Sequence, residues 1–577
     1  MLKRALLAGC LALLIAGTGW SAEIAFEMPP ELQELLPAEP ALIVAVSSLD
    51  ELDLHWRAIA DMLDEGDGDR ADLATMLGEF MPQFGEFAAP DRPVVMTLGL
   101  PPMGGGVQPP FTFIVPLSEA VTQEMIQEIG TQGTVQVSEG GYLAFSMDPD
   151  YTPAGTVPDL ALGLGDGFLS AALDLEMVIA AYRPMAEMGL GAMANAPAPP
   201  DTGAAAGTAP PMDPEEVAAI QDMTRALMDS ARRIDLALRI EGEELTLHTG
   251  FAAIPGSPLD PGPQPSFESA LQLTRLLPGG GDILQAMALD QTRQFGVFRE
   301  FYRANINKQI AGMPPEQGAA YAAWMESYLD SIDLFANPVA ASIAMTDVGM
   351  AVNMIMESDD APGDLARFAA LFNGLSAADI GIGLKKMPTG KVAGTEVQSW
   401  TIAFDAEKLA QLSADPMNPS LSGTGRLEAE QMISFLRKVT PGINLAAKGD
   451  YLILSADPNP ANLAHMIQLT SQRRGAANPR IAAAAAKAGP ACQQVVTGDL
   501  MAILAWVTEW MEELDDEEYA AIEGNPIPFT AAFTIAGAAY GVDWTMDMPA
   551  VQHFVQAVQE LEARNNLHDD DGEADPD

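Results

Sequence analysis

The sequence predicts an α+β fold built from two related repeats of short antiparallel strands and hairpins with packed helices. Three observations carry this expectation. Many apolar runs of strand length fall as adjacent pairs with helices inserted between them, unlike the regular alternation of a doubly wound sheet. A long pattern occurs twice, as LLPAEPALIVAVSSLDELDLHWRAI from Leu35 and LLPGGGDILQAMALDQTRQFGVFREF from Leu276. A second pair, GDGFLSAALD from Gly165 and GDYLILSADP from Gly449, follows in the same order, the offsets being roughly 240 and roughly 285 residues.

The elements follow from local pattern. After a short lead-in (23–34), repeat one (35–253) opens at Leu36-Pro37. Ala41 to Val46 is an apolar, β-capable run, and Ser47 or Ser48 is placed to cap a helix over Leu49 to Leu63. The acidic loop Asp64 to Asp69 leads to a helix over 71–87. Strands at 93–100 and 111–117 flank a turn holding Gly104, Gly105 and Gly106, and a helix at 118–129 follows. Strands come next at 134–137, 141–147 and 168–173, then a helix from Asp174 to about Met188. Residues 189–212 are rich in Ala, Gly and Pro and nearly uncharged, which predicts a flexible loop. A helix at 214–231 and a hairpin, 234–240 with 244–251 turning at Glu241-Gly242, close the repeat.

A proline-rich linker (254–265) leads into repeat two (266–564). Its programme is a strand at 282–289, helices at 291–309 and 315–334, a hairpin at 339–345 and 350–356, and a helix at 363–372. Strands at 380–385 and 396–404, a helix at 427–439, a strand pair at 443–447 and 451–455, and a helix at 460–469 follow. The Ala-rich stretch 475–489 reads as a spacer. A helix at 500–514, a last hairpin at 529–535 and 542–548, and a helix at 550–564 complete the repeat. The acidic tail 565–577 is expected to be disordered.

The N-terminus reads as an export signal over residues 1–22. Lys3 and Arg4 precede an apolar run, Ala5 to Gly19, that is short of the ~20 residues of a spanning helix, and small residues follow. Leu7-Ala8-Gly9-Cys10 matches a lipoprotein box, but the apolar run continues past Cys10 to Ile15, which favours a cleaved signal. No later apolar run reaches spanning length. The expectation is a periplasmic or secreted chain with no transmembrane segment after cleavage. It keeps one cysteine, Cys492, and so no internal disulfide framework.

The charge is extreme, with 80 acidic against 29 basic residues and a net charge of −51. Phosphate binding needs clustered Lys and Arg, so this balance argues against a nucleic-acid partner. The Leu-Pro opening with its strand and helix, and the later Gly-Asp-aromatic-apolar-Ser/Ala strand, resemble a group of exported bacterial proteins known as a domain-of-unknown-function family. The resemblance implies export and a non-enzymatic role and assigns no functional residue.

Motifs for chemistry are sparse. His55, His248, His465, His553 and His568 have no His or Cys within ligand spacing, and His-Glu-x-x-His is missing. No Gly-x-Ser-x-Gly elbow occurs, and Cys492 has no histidine near it in sequence. Gly163, Gly165 and Gly167 lack dinucleotide-fingerprint spacing, and Asp64 to Asp69 fails the EF-hand pattern. These residues are assigned to turns, surface and core. No catalytic residue, metal or cofactor is assigned.

Methionine is abundant, at 31 residues, with clusters at Met345, Met350, Met354 and Met356 and at Met185, Met188 and Met193. Thioethers fill irregular cores and make adaptable apolar surfaces. Met350, Met354, Met356 and Phe404 are therefore the candidate apolar ligand face. The resulting expectation is an exported non-enzymatic binding or structural protein of the bacterial envelope, whose partner is a protein, an envelope component or a hydrophobic ligand. Two alternatives stand beside it: a carrier or chaperone for a lipid or other hydrophobic molecule, and a hydrolase whose carboxylates come from distant positions.

Overall fold

The computed structural model describes residues 28–63, 88–101, 109–119, 121–155, 157–161, 164–165, 167–194, 214–311, 315–346, 349–374, 382–404, 442–471, 476–502 and 526–556. The expected signal segment, the loop at 64–69, the helices at 71–87 and 427–439, the glycine turn at 104–106, Gly163, His568 and the acidic tail lie outside these residues. The fold is mixed α+β and dominated by antiparallel sheet, with nineteen described strands. The chain divides into two compact units. Unit 1 comprises Met1–Glu187, Met228–Ser257 and Leu514–Asp577, and unit 2 comprises Met188–Leu227 and Pro258–Glu513. The expected boundaries, 35–253 and 266–564, therefore need correction at two places: the last hairpin belongs to unit 1, and residues 188–227 belong to unit 2.

Unit 1 begins with a short helix, α1 (Pro30–Gln33), within the expected lead-in. Its strands are β1 (Leu42–Val46), β2 (Val94–Leu98), β3 (Phe111–Pro116), β4 (Thr134–Val137), β5 (Tyr142–Ser146), β6 (Leu169–Asp174), β7 (Ala231–Glu241) and β8 (Glu244–Ala253). Pairing gives the order β4-β5-β3-β2-β1-β6-β7-β8. Helix α2 (Leu49–Leu63) follows β1, where Ser48 Oγ accepts from the Glu51 amide at 3.0 Å. Helix α3 (Gln123–Ile129) packs on one sheet face with Val94, Val115, Leu143 and Phe145. The opposite face buries Ile43, Val95, Ile114 and Ala144 under Leu32, Leu35, Leu36 and Tyr151. Tyr151 donates its hydroxyl to the Leu35 carbonyl, which ties the opening Leu-Leu-Pro to the sheet. Helix α4 (Leu175–Ala194) starts in unit 1 and ends in unit 2, and helix α5 (Pro214–Met228) belongs to unit 2 except for Met228. The expected loop 189–212 is corrected in its first residues, since α4 runs to Ala194, and 195–213 lies outside the described residues.

Unit 2 opens with helix α6 (Phe267–Leu273), also unread in the sequence, and a 3-10 turn at Thr274–Leu276. Strand β9 (Ile283–Met287) and helices α7 (Thr292–Ala311) and α8 (Pro315–Leu329) follow. Next come β10 (Val339–Thr346), β11 (Gly349–Glu357), α9 (Ala361–Asn373), β12 (Ile382–Lys386), β13 (Gly390–Val392), β14 (Thr395–Phe404), β15 (Ile443–Lys448) and β16 (Tyr451–Ala456). Helix α10 (Pro460–Leu469), helix α11 (Pro479–Ala488) and strand β17 (Cys492–Asp499) end the unit. The order is β17-β9-β10-β11-β16-β15-β14, with β12 and β13 both on β14. The Ala-rich spacer is thus a helix. Asn478 caps it by accepting from the Arg480 amide at 3.0 Å, Pro479 starts it, and Ile481 and Ala485 bury one stripe. Alanine runs favour helix intrinsically, and that propensity decides here.

Six strands of each unit share a pairing order, β4-β5-β3-β2-β1-β6 in unit 1 and β15-β16-β11-β10-β9-β17 in unit 2. β1 lies between β2 and β6, and β9 lies between β10 and β17. Ile43 and Ala45 are buried in the first, Leu284 and Ala286 at the same positions in the second. The amide of Ser47 donates to the Phe168 carbonyl at 3.1 Å and that of Ala288 to the Gln493 carbonyl at 2.8 Å. The amide of Asp174 reaches the Ala41 carbonyl, as that of Asp499 reaches Asp282. Both aspartates then cap the next helical turn, through the amides of Met177 and Met501.

One expected correspondence needs correction. The Gly165 segment enters β6, beside β1, whereas the Gly449 segment enters β16, beside β11. The strand in the place of β16 is β5, in the segment GGYLAFSMDP from Gly140, which matches GDYLILSADP better.

Candidate functional site

Chemistry-bearing side chains gather in two places. The first is in unit 1, where β18 (Pro528–Ala536) and β19 (Ala539–Asp547) form the chain's last described hairpin. Strand β19 pairs antiparallel with β8, Asp547 lying opposite Glu244. Counting along both strands places His248 opposite Asp543. Each hairpin turns on a glycine in the left-handed region, Gly242 at φ 63° and Gly537 at φ 61°. His248 is four residues beyond Glu244, and Asp543 four beyond Ala539, so the two occupy the same place in their hairpins. The hydrogen bonds repeat about this point. The amide of Ala253 donates to Ala538 at 2.9 Å, and the amide of Met548 to Glu243 at 2.8 Å. These four strands therefore carry a local two-fold centred on the His248–Asp543 pair.

His248 is half-enclosed, its side chain 17% exposed. Its Nδ1 lies 2.8 Å from Asp543 Oδ1, and its Nε2 lies 3.3 Å from Asp235 Oδ2 on β7. Arg233 Nε donates to the other oxygen of Asp235 at 3.2 Å. Gly250 sits opposite Asp235, and a Cβ there would fall 1.7 Å from Asp235 Oδ2, so the carboxylate occupies the room the glycine leaves. Thr246 and Thr545 pair through their hydroxyls at 3.1 Å in the next row. Burial by itself lowers the His248 pKa. The hydrogen bonds to Asp235 and then Asp543 outweigh it and raise the pKa from 6.5 to about 9. At neutral pH the group is an imidazolium between two carboxylates. A triad histidine offers Nε2 to a nucleophile, but here Nε2 faces Asp235. The arrangement is built to hold two hairpins together.

The second constellation is a buried polar row crossing each sheet. In unit 1, Thr97, Thr112 and Ser146 are in register on β2, β3 and β5 and nearly fully buried. Thr112 Oγ1 donates to Ser146 Oγ at 2.9 Å. In unit 2 the same row reads Ser342, Asn353 and Ser455. It continues through Asn444 on β15 to Ser399 on β14, whose hydroxyl donates to Asn444 Oδ1 at 2.7 Å. Ser455 Oγ donates to Asn353 Oδ1 at 2.8 Å, and Asn353 Nδ2 donates to Asp457 Oδ2 at 2.7 Å. Asp457 also accepts from Asn462 Nδ2 and from the Asn459 amide, each at 2.7 Å. Its oxygens are engaged within the fold.

The sequence-derived apolar face separates. Met356 is fully buried with Leu334, Val339, Phe368 and Trp400, and Met354 packs against that cluster. Met350 is half-buried near the start of β11, opposite Met345, and Phe404 is half-buried at the end of β14, opposite Ile382. Two of the four thus serve the core, and the other two sit at strand ends. Met185 and Met188 on α4 are exposed. Cys492 is buried, and burial pushes its thiol up to about 12, while its Sγ–H points to the Gln494 carbonyl. His55 lies against the Phe168 ring, with centroids 4.7 Å apart, and 3.5 Å from Glu51.

Half of the His248 cluster was legible in the sequence. The turn at Glu241-Gly242 sets His248 opposite Ala237 and diagonal to Asp235. Asp543 arrives from a hairpin far along the chain, and nothing local marks it. Among the described residues, no group of three or more His, Cys, Asp or Glu is arranged to hold a metal ion, and no helix is long and apolar enough to cross a membrane. Comparison with protein-family models, with curated proteins and with solved structures gives no match.

Proposed function

We propose that this chain is an exported, non-enzymatic binding or structural protein of the bacterial envelope, built from two related α+β repeats, whose partner is another protein. The observation that carries the reading is a pairing order that six strands of each unit share, with buried residues at matching positions on β1 and β9. The capping aspartates Asp174 and Asp499 recur with it. A repeated scaffold of this kind diversifies its surfaces, and surfaces are what partners read. The engagement of both His248 nitrogens and of the Asp457 oxygens within the fold supports the same reading. The exported location rests on the N-terminal residues described above.

The test is chemical cross-linking in the native envelope fraction, followed by native mass spectrometry of the isolated chain. The reading expects a defined second polypeptide. A bare chain, or one carrying a stoichiometric lipid or small molecule and no protein, contradicts it and favours the carrier alternative.

A further inference from the structure

Among the described strands, β4 is the end strand of its sheet. Its amides and carbonyls alternate between β5 and the open side. The Ser138 amide bonds to the Tyr142 carbonyl at 2.9 Å, which fixes the phase of that alternation. Gln136 and Thr134 face β5, and Val135 and Val137 present their backbone groups outward. Among the described residues no strand pairs with that side. The side chain of Val137 is 47% exposed, and Met147, just beyond β5, is 48% exposed.

Unit 2 shows what this edge accepts. The strand in the place of β4 is β15, and its corresponding side is covered by β14 in antiparallel register, Leu445 opposite Gln398 and Ile443 opposite Trp400. Leu445 holds the position of Val135, each lying one residue from the buried polar row. The same backbone geometry is thus filled in one unit by the chain's own strand and has no described strand on it in the other.

The charge around β4 selects the occupant. Glu139 in the β4–β5 turn and Asp148 beyond β5 lie next to it in the chain, Arg92 is engaged by the Gly140 carbonyl and the Tyr142 ring, and no Lys or Arg occurs between Glu119 and Asp150. A second copy of this chain would bring the same carboxylates face to face. We infer that the open edge of β4 is a docking site for an extended, basic segment of a partner protein, which adds to the sheet as an antiparallel strand. The inference rests on the binding-protein reading above and names its site.

The test uses the full mature chain and a labelled synthetic peptide of alternating valine and lysine, read by fluorescence anisotropy. Two controls are a valine–glutamate peptide and a valine–lysine peptide N-methylated on alternate backbone nitrogens. The basic peptide is expected to bind and the acidic one to fail. N-methylation and, separately, Val137→Pro are each expected to weaken binding about tenfold, the scale of a lost backbone hydrogen bond together with a clash. Proline is tolerated at a strand edge that faces solvent, so the variant should keep its thermal transition. Should it unfold, the methylated peptide on the unaltered protein still decides. Equal binding of parent and methylated peptides, equal binding by a folded Val137→Pro variant, self-association through this edge, or no binding of the basic peptide each overturn the inference. A cross-linked envelope partner combined with no peptide binding would remove this site and leave the binding-protein reading standing.

Discussion

Six strands of each unit pair in the same order, yet the units differ in how they finish their sheets. Unit 1 ends at β4, four residues long, while unit 2 continues past the equivalent β15 into β14, β12 and β13. The polar row shows a matching difference. Unit 1 places small hydroxyls, Thr97, Thr112 and Ser146, of which Thr112 donates to Ser146 and Ser146 to the Phe111 carbonyl. Unit 2 places the amides Asn353 and Asn444 in that row and needs Asp457 and Ser399 to complete them. A scaffold can therefore keep its register and its apolar positions while the number of strands and the polar partners change together. Asn444 lies where an extra strand supplies its partner, and Asn353 takes its partner from just beyond β16.

The comparison is open to attack at several points. The apolar rows face the strongest test. Ile114 and Ile355 hold equivalent places on β3 and β11, and both are fully buried. Ile114→Ala and Ile355→Ala are each expected to cost about 4 kcal/mol. Chemical denaturation checks this, and unequal costs would show that the two cores are packed differently.

The His248 clamp has no counterpart in the described part of unit 2. His248→Ala leaves Asp235 and Asp543 facing each other and should cost about 3 kcal/mol by the same measurement. Because the folded pKa is raised from 6.5 to about 9, the stabilisation is fully present below pH 6.5 and is lost as pH rises through about 9. Denaturation midpoints of the native chain should fall between those values. The difference between native and His248→Ala should shrink over the same window.

The amide-bearing row comes next. Asp457→Ala strips partners from Asn353, Asn462 and the Asn459 amide and should cost about 2 kcal/mol, read from the thermal transition. The smallest effect concerns α11, in the expected Ala-rich spacer. Asn478→Ala removes the cap of α11 and should cost about 1 kcal/mol, with faster amide exchange at Arg480.

Much of the sheet was legible in the sequence because its signals are local. The limits of α2 and β4 were read to the residue, since capping serines, alternating apolar positions and glycine turns act within a few residues. What stayed hidden was set at a distance. Strand β17 carries Gln493, Gln494 and Thr497 and has no alternating apolar signal, and it is a strand because β9 offers it an edge. Helices α1 and α6 precede the Leu-Leu-Pro motif without a long apolar stripe, and they are held by burial of Leu32 and Leu273. The pairing of Gly165 with Gly449 failed because a shared Gly-Asp turn marks where a strand begins and not which strand it joins. Of the site, Asp235 and His248 were in reach through hairpin register, and Asp543 was not.

Site-resolved amide hydrogen exchange on β4 and β15 tests the central claim, that the edge of β4 is open where the matching edge of β15 is covered by β14, most directly. The amides of Ile443 and Leu445, which face β14, should be strongly protected, as should Gln136, which faces β5. Those of Val135 and Val137 should exchange orders of magnitude faster. Protection of Val135 and Val137 equal to that of Leu445 would mean that the edge of β4 is already covered, and would contradict the account.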